Sequence, residues 1–273
     1  MDLAQMITST RIGRYGNTCN SMFQFAAVVG MAKRTGLEYC IPKHESYYDV
    51  NYECDNHSIF SGFDIDVQEL MLGALNFKEV NFPFEYSDKK IEDFTDMVGY
   101  FQTEKYFQDA KQEVLQQYQF KSSVKEVVDA KIANGFYPDP LYCTSIHMRL
   151  GDYLKKRDYH PAMTNDYYQT ASKLAGLKNY MIFSDDVATA KQMLGENSNV
   201  YYSDDENPFS ALYHMSLCSN HIICNSTFGW WGAWLGEASN PIDHKTIIAP
   251  KQWFGPKHSY DSSDIIPERW TLI

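Results

Sequence analysis

Residues 141–153 read LYCTSIHMRLGDY, an apolar run over 141–146 that breaks into an imidazole (His147), a guanidinium (Arg149), a glycine (Gly151) and a carboxylate (Asp152). A short apolar run bounded by turn residues reads as a buried strand, and the abrupt change to charged groups marks its carboxyl end. The pattern recurs downstream. Apolar runs at 180–183, 200–202, 221–224 and 245–249 alternate with helical spacing at 166–174, 187–194, 209–218 and 230–237. Strands alternating with helices build a parallel sheet covered on both faces, so residues 141–273 are predicted to be a doubly wound α/β domain. Ligands of such sheets gather outside the carboxyl ends of the strands, which makes each of those ends a candidate site.

Upstream the same logic holds at the start of the chain. An apolar run ending near Ile7 enters the turn Gly13-Arg14-Tyr15-Gly16-Asn17; Met22, Phe23, Phe25, Ala26, Val29 and Met31 then follow at helical spacing. Gly36 before 37–42 reads as a helix stop and the next strand, completing a β-loop-α-β unit. Residues 43–102, rich in Asp, Asn, Tyr and Phe, show weak periodicity and read as irregular with short strands. Residues 103–133 read as helical, and 134–140, with Gly135, Pro138 and Pro140, have the composition of a connector. The expected domains are therefore 1–140 and 141–273.

Composition narrows the function classes. With 24 Lys and Arg against 35 Asp and Glu, the net charge of −11 excludes a general nucleic-acid binder, which needs a basic face. A hydrophobic fraction of 44% in 273 residues supplies a core and excludes disorder as the main state. The six cysteines, Cys19, Cys40, Cys54, Cys143, Cys218 and Cys224, form neither a C-x-x-C nor a zinc-ligand pattern and read as mostly buried, reduced thiols. The N-terminal residues lack the apolar core of a signal peptide, and no run approaches a membrane span. A cytoplasmic protein is expected, and the sequons at Asn56 and Asn225 are read as chance matches.

At the strand ends the residue types suggest chemistry, each beside a plainer reading. The Arg149 fork matches phosphate oxygens and Gly151 lets the backbone turn away, while a structural Arg149–Asp152 pair accounts for the same residues. After 180–183, a carboxylate in Ser184-Asp185-Asp186 can accept the paired donors of a guanine, or cap the next helix; one of Asp185 and Asp186 is expected in each role. After 221–224, Asn225-Ser226-Thr227 put hydroxyls and backbone N–H groups at a helix N-terminus, an anion site or a simple cap. Trp230, Trp231 and Trp234 read first as packing against the sheet, with sugar stacking by one of them left open. Asp64-Ile-Asp66 fits a D-x-D pattern but suits an exposed strand, and Gly13-x-x-Gly16 is too short for a dinucleotide fingerprint. No nicotinamide cofactor is expected.

Together these residues resemble glycosyltransferase family eleven, the α-1,2-fucosyltransferases, through most of the chain. Residues 13–33 are similar to the family's G-x-x-G-N-Q-M-F-Q-x-A opening, 147–153 to H-x-R-R-G-D-Y, 183–186 to its F-S-D-D segment and 212–235 to L-x-x-M-S-x-C…N-S-T/S-F-S-W-W-G-A-W/Y-L. The segment 248–254, IAPKQWF, resembles the closing block. Two departures stand out. Thr18-Cys19-Asn20-Ser21 replaces a single Gln, and Leu150 replaces the second Arg of H-x-R-R.

The resemblance implies a GT-B-like enzyme, two Rossmann-like domains facing a cleft. The N-terminal one would serve the acceptor through a loop with Gly16, Asn17 and Gln24, and the C-terminal one would bind GDP-β-L-fucose. It implies inverting transfer of L-fucose to the 2-hydroxyl of a terminal galactose, in surface polysaccharide or oligosaccharide synthesis, with no cofactor or obligatory metal. Arg149 would meet the β-phosphate, with Asn225, Ser226 and Thr227 completing the cradle; His147 and Asp185 or Asp186 would contact the guanosine; Asp152 first and His160 second are the bases expected at the acceptor hydroxyl. The partners are GDP-fucose and a glycan, with no nucleic acid and no transmembrane segment; a lipid-linked acceptor would bring the chain to the inner membrane surface. Alternatives are another acceptor or linkage, or a non-catalytic GDP-sugar-binding module.

Overall fold

In the computed structural model the described residues are 5–42, 59–70, 76–176, 179–239 and 245–273. They divide into two compact units, Met1–Gln119 with Asp261–Pro267, and Phe120–Tyr260 with Glu268–Ile273. The first unit contains β1 (Met6–Thr8), α1 (Thr18–Thr35), β2 (Glu38–Pro42), α2 (Ile59–Gly62), β3 (Gln68–Leu70), β4 (Lys78–Asn81), β5 (Thr95–Val98) and α3 (Lys111–Gln117). Its five-stranded sheet runs β3-β2-β1-β5-β4, every pairing parallel. α1 buries residues 21–32 and stops at Gly36, whose left-handed φ of 71° lets its N–H reach Ala32 O.

The second unit contains α4 (Ser122–Ala133), β6 (Cys143–Met148), α5 (Asn165–Ala175), β7 (Asn179–Ser184), α6 (Val187–Leu194), β8 (Val200–Tyr202), α7 (Pro208–Leu217), β9 (Asn220–Ile222), α8 (Thr227–Ser239), β10 (Ile247–Ala249) and β11 (Thr271–Leu272). The six-stranded parallel sheet runs β11-β10-β9-β6-β7-β8. The chain winds outward from β6 through β7 and β8, then returns to the other side of β6 as β9, β10 and β11. The winding therefore reverses between β6 and β9, the switch point where a crevice opens in sheets of this order. Pairing of β6 with β9 ends at Ile146↔Ile222, whereas β6 stays paired with β7 through Met148↔Ser184.

α8 packs closely because one of its stripes is glycine. A Cβ at Gly229 would lie 2.8 Å from His147 Nδ1, at Gly232 2.5 Å from Met215 Sδ, and at Gly236 2.7 Å from the backbone O of Ser216. The tryptophans fill the remaining space: Trp230, Trp231 and Trp234 are fully buried, which leaves none of them for sugar stacking. Among the described cysteines, Cys19, Cys40, Cys143, Cys218 and Cys224 are buried free thiols. Cys54 and the sequon at Asn56 lie outside the described residues, and Asn225 is buried.

Several expectations change. The first unit ends at Gln119 rather than near Pro140, because α4 packs on α7 and so belongs with the second sheet. Residues 261–267 return to the first unit, where Asp264 accepts from Tyr86 N at 3.1 Å and from Lys105. The helical stretch 103–133 breaks into short 3₁₀ turns, α3 and α4, and the unassigned 43–102 supplies β3, β4 and β5. Asp64 and Asp66 lie in a loop, not a strand, with Asp66 N donating to Gln117 Oε1 at 2.9 Å.

Candidate active site

The carboxyl ends of β9, β6 and β7, neighbours in the second sheet, carry Asn225-Ser226-Thr227, His147-Met148-Arg149 and Asp185-Asp186 respectively. Arg149 lies between two carboxylates, with Nη2 3.0 Å from Asp152 Oδ1 and Nε 3.2 Å from Asp185 Oδ2. Asp185 also accepts from Leu150 N at 2.8 Å and Gly151 N at 3.2 Å. Both of its oxygens thus hold the turn that carries Arg149. A Cβ on Gly151 would lie 2.9 Å from Asp185 Oδ2, so the approach this glycine permits is that of the carboxylate. Asp186 caps α6, accepting from Thr189 N at 3.0 Å and Thr189 Oγ1 at 2.7 Å, and these bonds lower its pKa. Leu150 points into the core with Ile146, Met148 and Tyr168, so a cation at this position would be buried.

His147 is enclosed under the start of α8, its ring 5.0 Å from Phe228 and its Nδ1 3.3 Å from Cys224 Sγ. Burial, helped by Arg149, pushes its pKa down to about 3, so the imidazole is neutral at pH 7. Burial pushes the Cys224 thiol up to about 12. Asn225 is buried with Nδ2 donating to Trp253 O at 2.8 Å, while its Oδ1 has no hydrogen-bond partner among the described residues. Ser226 O accepts from Trp230 N at 3.1 Å, opening α8, so Ser226 and Thr227 stand where the helix presents its first N–H groups.

His160 reaches the same loop through Tyr153, whose ring it stacks on at 4.9 Å and 17°. Burial, then His258, lowers its pKa. Arg149 Cζ is 5.8 Å from the centroid of that Tyr153 ring, and Tyr153 OH donates to Asn225 O at 3.0 Å. The second unit therefore brings together His147, Arg149, Asp152, His160, Asp185, Asn225, Ser226 and Thr227. Gly16, Asn17 and Gln24 belong to the first unit, where Gly16 and Asn17 are exposed and Gln24 is buried, donating from Nε2 to Tyr15 O at 3.1 Å. A cavity of about 560 Å³ lined by Gln5, Arg34, Leu37, Lys89 and Asp93 opens at the amino ends of the first unit's strands, and none of Gly16, Asn17 and Gln24 lines it.

The sequence pattern of Glycosyl transferase family 11 matches residues 1–273, the whole chain. The chain belongs to this family. As a family 11 glycosyltransferase it is 26% identical to an alpha-1,2-colitosyltransferase of Escherichia coli, covering 94% of this chain and 96% of that protein. Over 121 residues, 41% of this chain and 39% of the other, it is 36% identical to the O-antigen biosynthesis glycosyltransferase WbnK of Escherichia coli. Among solved structures it is similar to the alpha-1,6-fucosyltransferase NodZ of Bradyrhizobium co-crystallized with GDP, at TM-score 0.56 and 13% identity, covering 85% of this chain and 92% of that one. It is also similar to POFUT1 in complex with GDP-fucose, at TM-score 0.52 and 10% identity over 86% and 94% of the two chains. At these identities the similarity is one of fold, an α/β GT-B-like fold with two parallel sheets.

In this family 11 chain, sequence reasoning passed over the residues that tie the loops together. Tyr167 OH donates to Ile223 O at 2.6 Å and Tyr168 OH to His147 O at 3.4 Å, so α5 pins the ends of both strands at the switch point. The signal was present as paired aromatics on one helix, but a tyrosine's partner is a long-range fact. A second polar cluster at the end of β8 was also missed. There Asp205 and His214 are both buried at 3.2 Å, and Lys131 reaches Asp204 at 2.7 Å and Asp205 at 2.9 Å. Burial pushes the Asp205 pKa up, but hydrogen bonds from His214, Lys131 and Ser203 outweigh it and bring it to about 2.

Proposed function

We propose that this glycosyltransferase moves L-fucose from GDP-β-L-fucose, with inversion, to the 2-hydroxyl of a terminal galactose in a growing surface polysaccharide such as an O-antigen. The observation that carries the reading is that Arg149 follows β6 and the N-terminus of α8 follows β9, the neighbouring strands on either side of the switch point. The hardest charge to stabilise in such a transfer develops on the departing diphosphate, and preorganised donors stabilise it best where they need not reorganise. Arg149, held by Asp185 and Asp152, supplies a fixed fork; Ser226, Thr227 and the first N–H groups of α8 supply the rest, without an obligatory metal. Asn225 holds the 253 segment against this turn. Asp185 and His147 are positioning residues in this reading, the first fixing the Arg149 turn and the second filling the space beneath α8. Asp152 takes the proton of the acceptor hydroxyl, and His160, stacked on Tyr153, is the alternative base.

Support for the α-1,2 linkage and the O-antigen setting comes from the two Escherichia coli relatives, and for a GDP-sugar donor from the NodZ and POFUT1 structures. A second reading, favoured by the colitosyltransferase similarity over nearly the whole chain, keeps the linkage and changes the donor sugar to colitose. Among the described residues no helix is long and apolar enough to cross a membrane, so a lipid-linked acceptor would be met at the membrane surface. The test is transfer from GDP-fucose and from nucleotide-activated colitose to β-galactosides, with GDP release and product NMR as readouts. Acceptor-dependent GDP release and an α-linked product on O2 are expected. Binding of GDP-sugar without turnover on any galactoside would overturn the galactoside reading, and lack of turnover on every sugar acceptor tried would make the chain a binding module.

A further inference from the structure

Residues 155–157, Lys-Lys-Arg, are the only three consecutive cations in a chain of net charge −11, and they follow the Arg149 turn on the same loop. From Arg149 to His160 the loop carries four Lys and Arg against two Asp. Leu154 to Tyr159 are all exposed, so these charges stand in solvent. Among the described residues none of Lys155, Lys156 and Arg157 has an ion pair, whereas the carboxylates of the neighbouring turns are engaged. Asp152 and Asp185 hold Arg149, Asp158 pairs with Lys257 at 2.8 Å, and Asp186 caps α6. Leu150 is buried in the core and Arg149 is the one Lys or Arg of residues 147–153, so the run at 155–157 supplies the loop's surplus charge.

The backbone beneath these side chains is braced. Tight turns close the loop: Leu154 N donates to Leu150 O at 2.9 Å, Lys155 N to Asp152 O at 3.1 Å and His160 N to Lys156 O at 2.9 Å. The segment after β10 then straps it, Gly255 N donating to Tyr159 O at 2.8 Å and Lys257 N to Asp158 O at 3.0 Å. Gly255 permits this approach, because a Cβ there would lie 2.3 Å from Asp158 O. Asn225 holds the same segment through Trp253 O, so the cationic loop is tied to the turn after β9 as well as to β6. Lys156 and Arg149 both oppose protonation of the His160 imidazole, which places the exposed run within electrostatic reach of the Arg149 turn.

We infer that Lys155, Lys156 and Arg157 form a cationic rim that draws an anionic nucleoside diphosphate onto the Arg149 turn. The inference rests on the proposed GDP-sugar donor and adds how that donor reaches an acidic protein. The net field of the chain repels such an anion, and a group of uncompensated cations on a braced loop reverses the sign locally. Exposed ammonium and guanidinium groups on long stems contribute little as contacts, because solvent screening and side-chain entropy oppose them. Their field, by contrast, acts out to about the Debye length, ~30 Å at 0.01 M salt and ~10 Å at 0.1 M. The rim therefore raises the rate of association and leaves dissociation to Arg149 and the start of α8.

Stopped-flow fluorescence with a methylanthraniloyl derivative of GDP gives both rates for the full chain in EDTA, at about 0.01 M and about 0.5 M ionic strength. Wild type is compared with the combined variant Lys155→Gln/Lys156→Gln/Arg157→Gln, whose changes are confined to exposed side chains. At equal net charge, Lys156→Glu is compared with Lys173→Glu, Lys173 lying in the last turn of α5. In the combined variant association is expected to slow about tenfold at low ionic strength and less than about twofold at high, with dissociation unchanged. Lys156→Glu is expected to slow association at low ionic strength and Lys173→Glu is not. Equal association in wild type and the combined variant would overturn the rim, and equal slowing by the two Glu variants would do so by assigning the effect to net charge. Faster dissociation alone would overturn it by making the three residues contacts. Sedimentation with phosphatidylglycerol vesicles that the combined variant loses, at wild-type association with GDP, would assign the cations to a lipid surface instead. Absence of GDP binding in wild type removes the donor reading and the rim together, whereas GDP binding with unaltered rates removes the rim alone.

Discussion

Arg149 is useful only if its fork points one way, and the structure gives it two carboxylates and a turn clasped by Asp185 to ensure that. Replacing it with Ala is expected to lower kcat by a hundredfold or more, about 3 kcal/mol of transition-state stabilisation by analogy with removal of one preorganised donor. Arg149→Lys should recover little, because an ammonium cannot meet two oxygens in one plane; near-normal turnover in the Lys variant would mean that only a point charge is needed. The buried histidines carry a different expectation. The unfolded chain takes up a proton on His147 near its ordinary 6.5, whereas burial holds the folded value at about 3. The stability that neutral His147 contributes is therefore complete above pH 6.5 and is lost as pH falls toward 3, by about 2 kcal/mol at about pH 5. Burial lowers His221 in the same direction. Urea midpoints at about pH 7.5 and 5 should show this drop, and His147→Phe should reduce it; an equal drop in the variant would assign acid sensitivity to other groups. These residues were legible as types in the sequence, but not their partners. Asp185 looks like a base-recognising carboxylate until the backbone of a turn 35 residues earlier is placed against it.

At the scale of elements, α8 is the part on which the site stands, since its first turn covers His147 and its glycine stripe sets its distance from α7 and β9. Gly236→Ala would drive a methyl into the Ser216 carbonyl at 2.7 Å, while Gly232→Ala meets the movable end of Met215. The first is expected to cost about 1–3 kcal/mol and the second clearly less, measured by chemical denaturation; equal costs would mean that the helix shifts as a body. The strands of the second sheet were readable because each is a short buried run between turn residues, and α5 to α8 because their apolar spacing is helical. β5 escaped because Thr-Asp-Met-Val carries a carboxylate, and only the fold shows that Asp96 is buried and bonded to Thr10 N at 2.8 Å and Thr10 Oγ1 at 2.6 Å. The boundary near Pro140 followed composition; the packing of α4 on α7, a contact between distant segments, set it at Gln119 instead.

For the whole molecule, a family match over every residue and two parallel sheets agree on one architecture, and the donor proposed for this chain of net charge −11 is itself an anion. Its capture then depends on local groups rather than on the overall field. That is the central claim, that the β6/β9 switch point holds a GDP-sugar through Arg149 and the start of α8. Calorimetric titration of GDP-fucose, GDP and UDP into wild type and Arg149→Ala, in EDTA and then in Mg²⁺, tests it most directly. The expected result is binding of both GDP species in EDTA, little from UDP, and loss of binding in Arg149→Ala. UDP binding as tightly as GDP, or full GDP affinity in the variant, would contradict it.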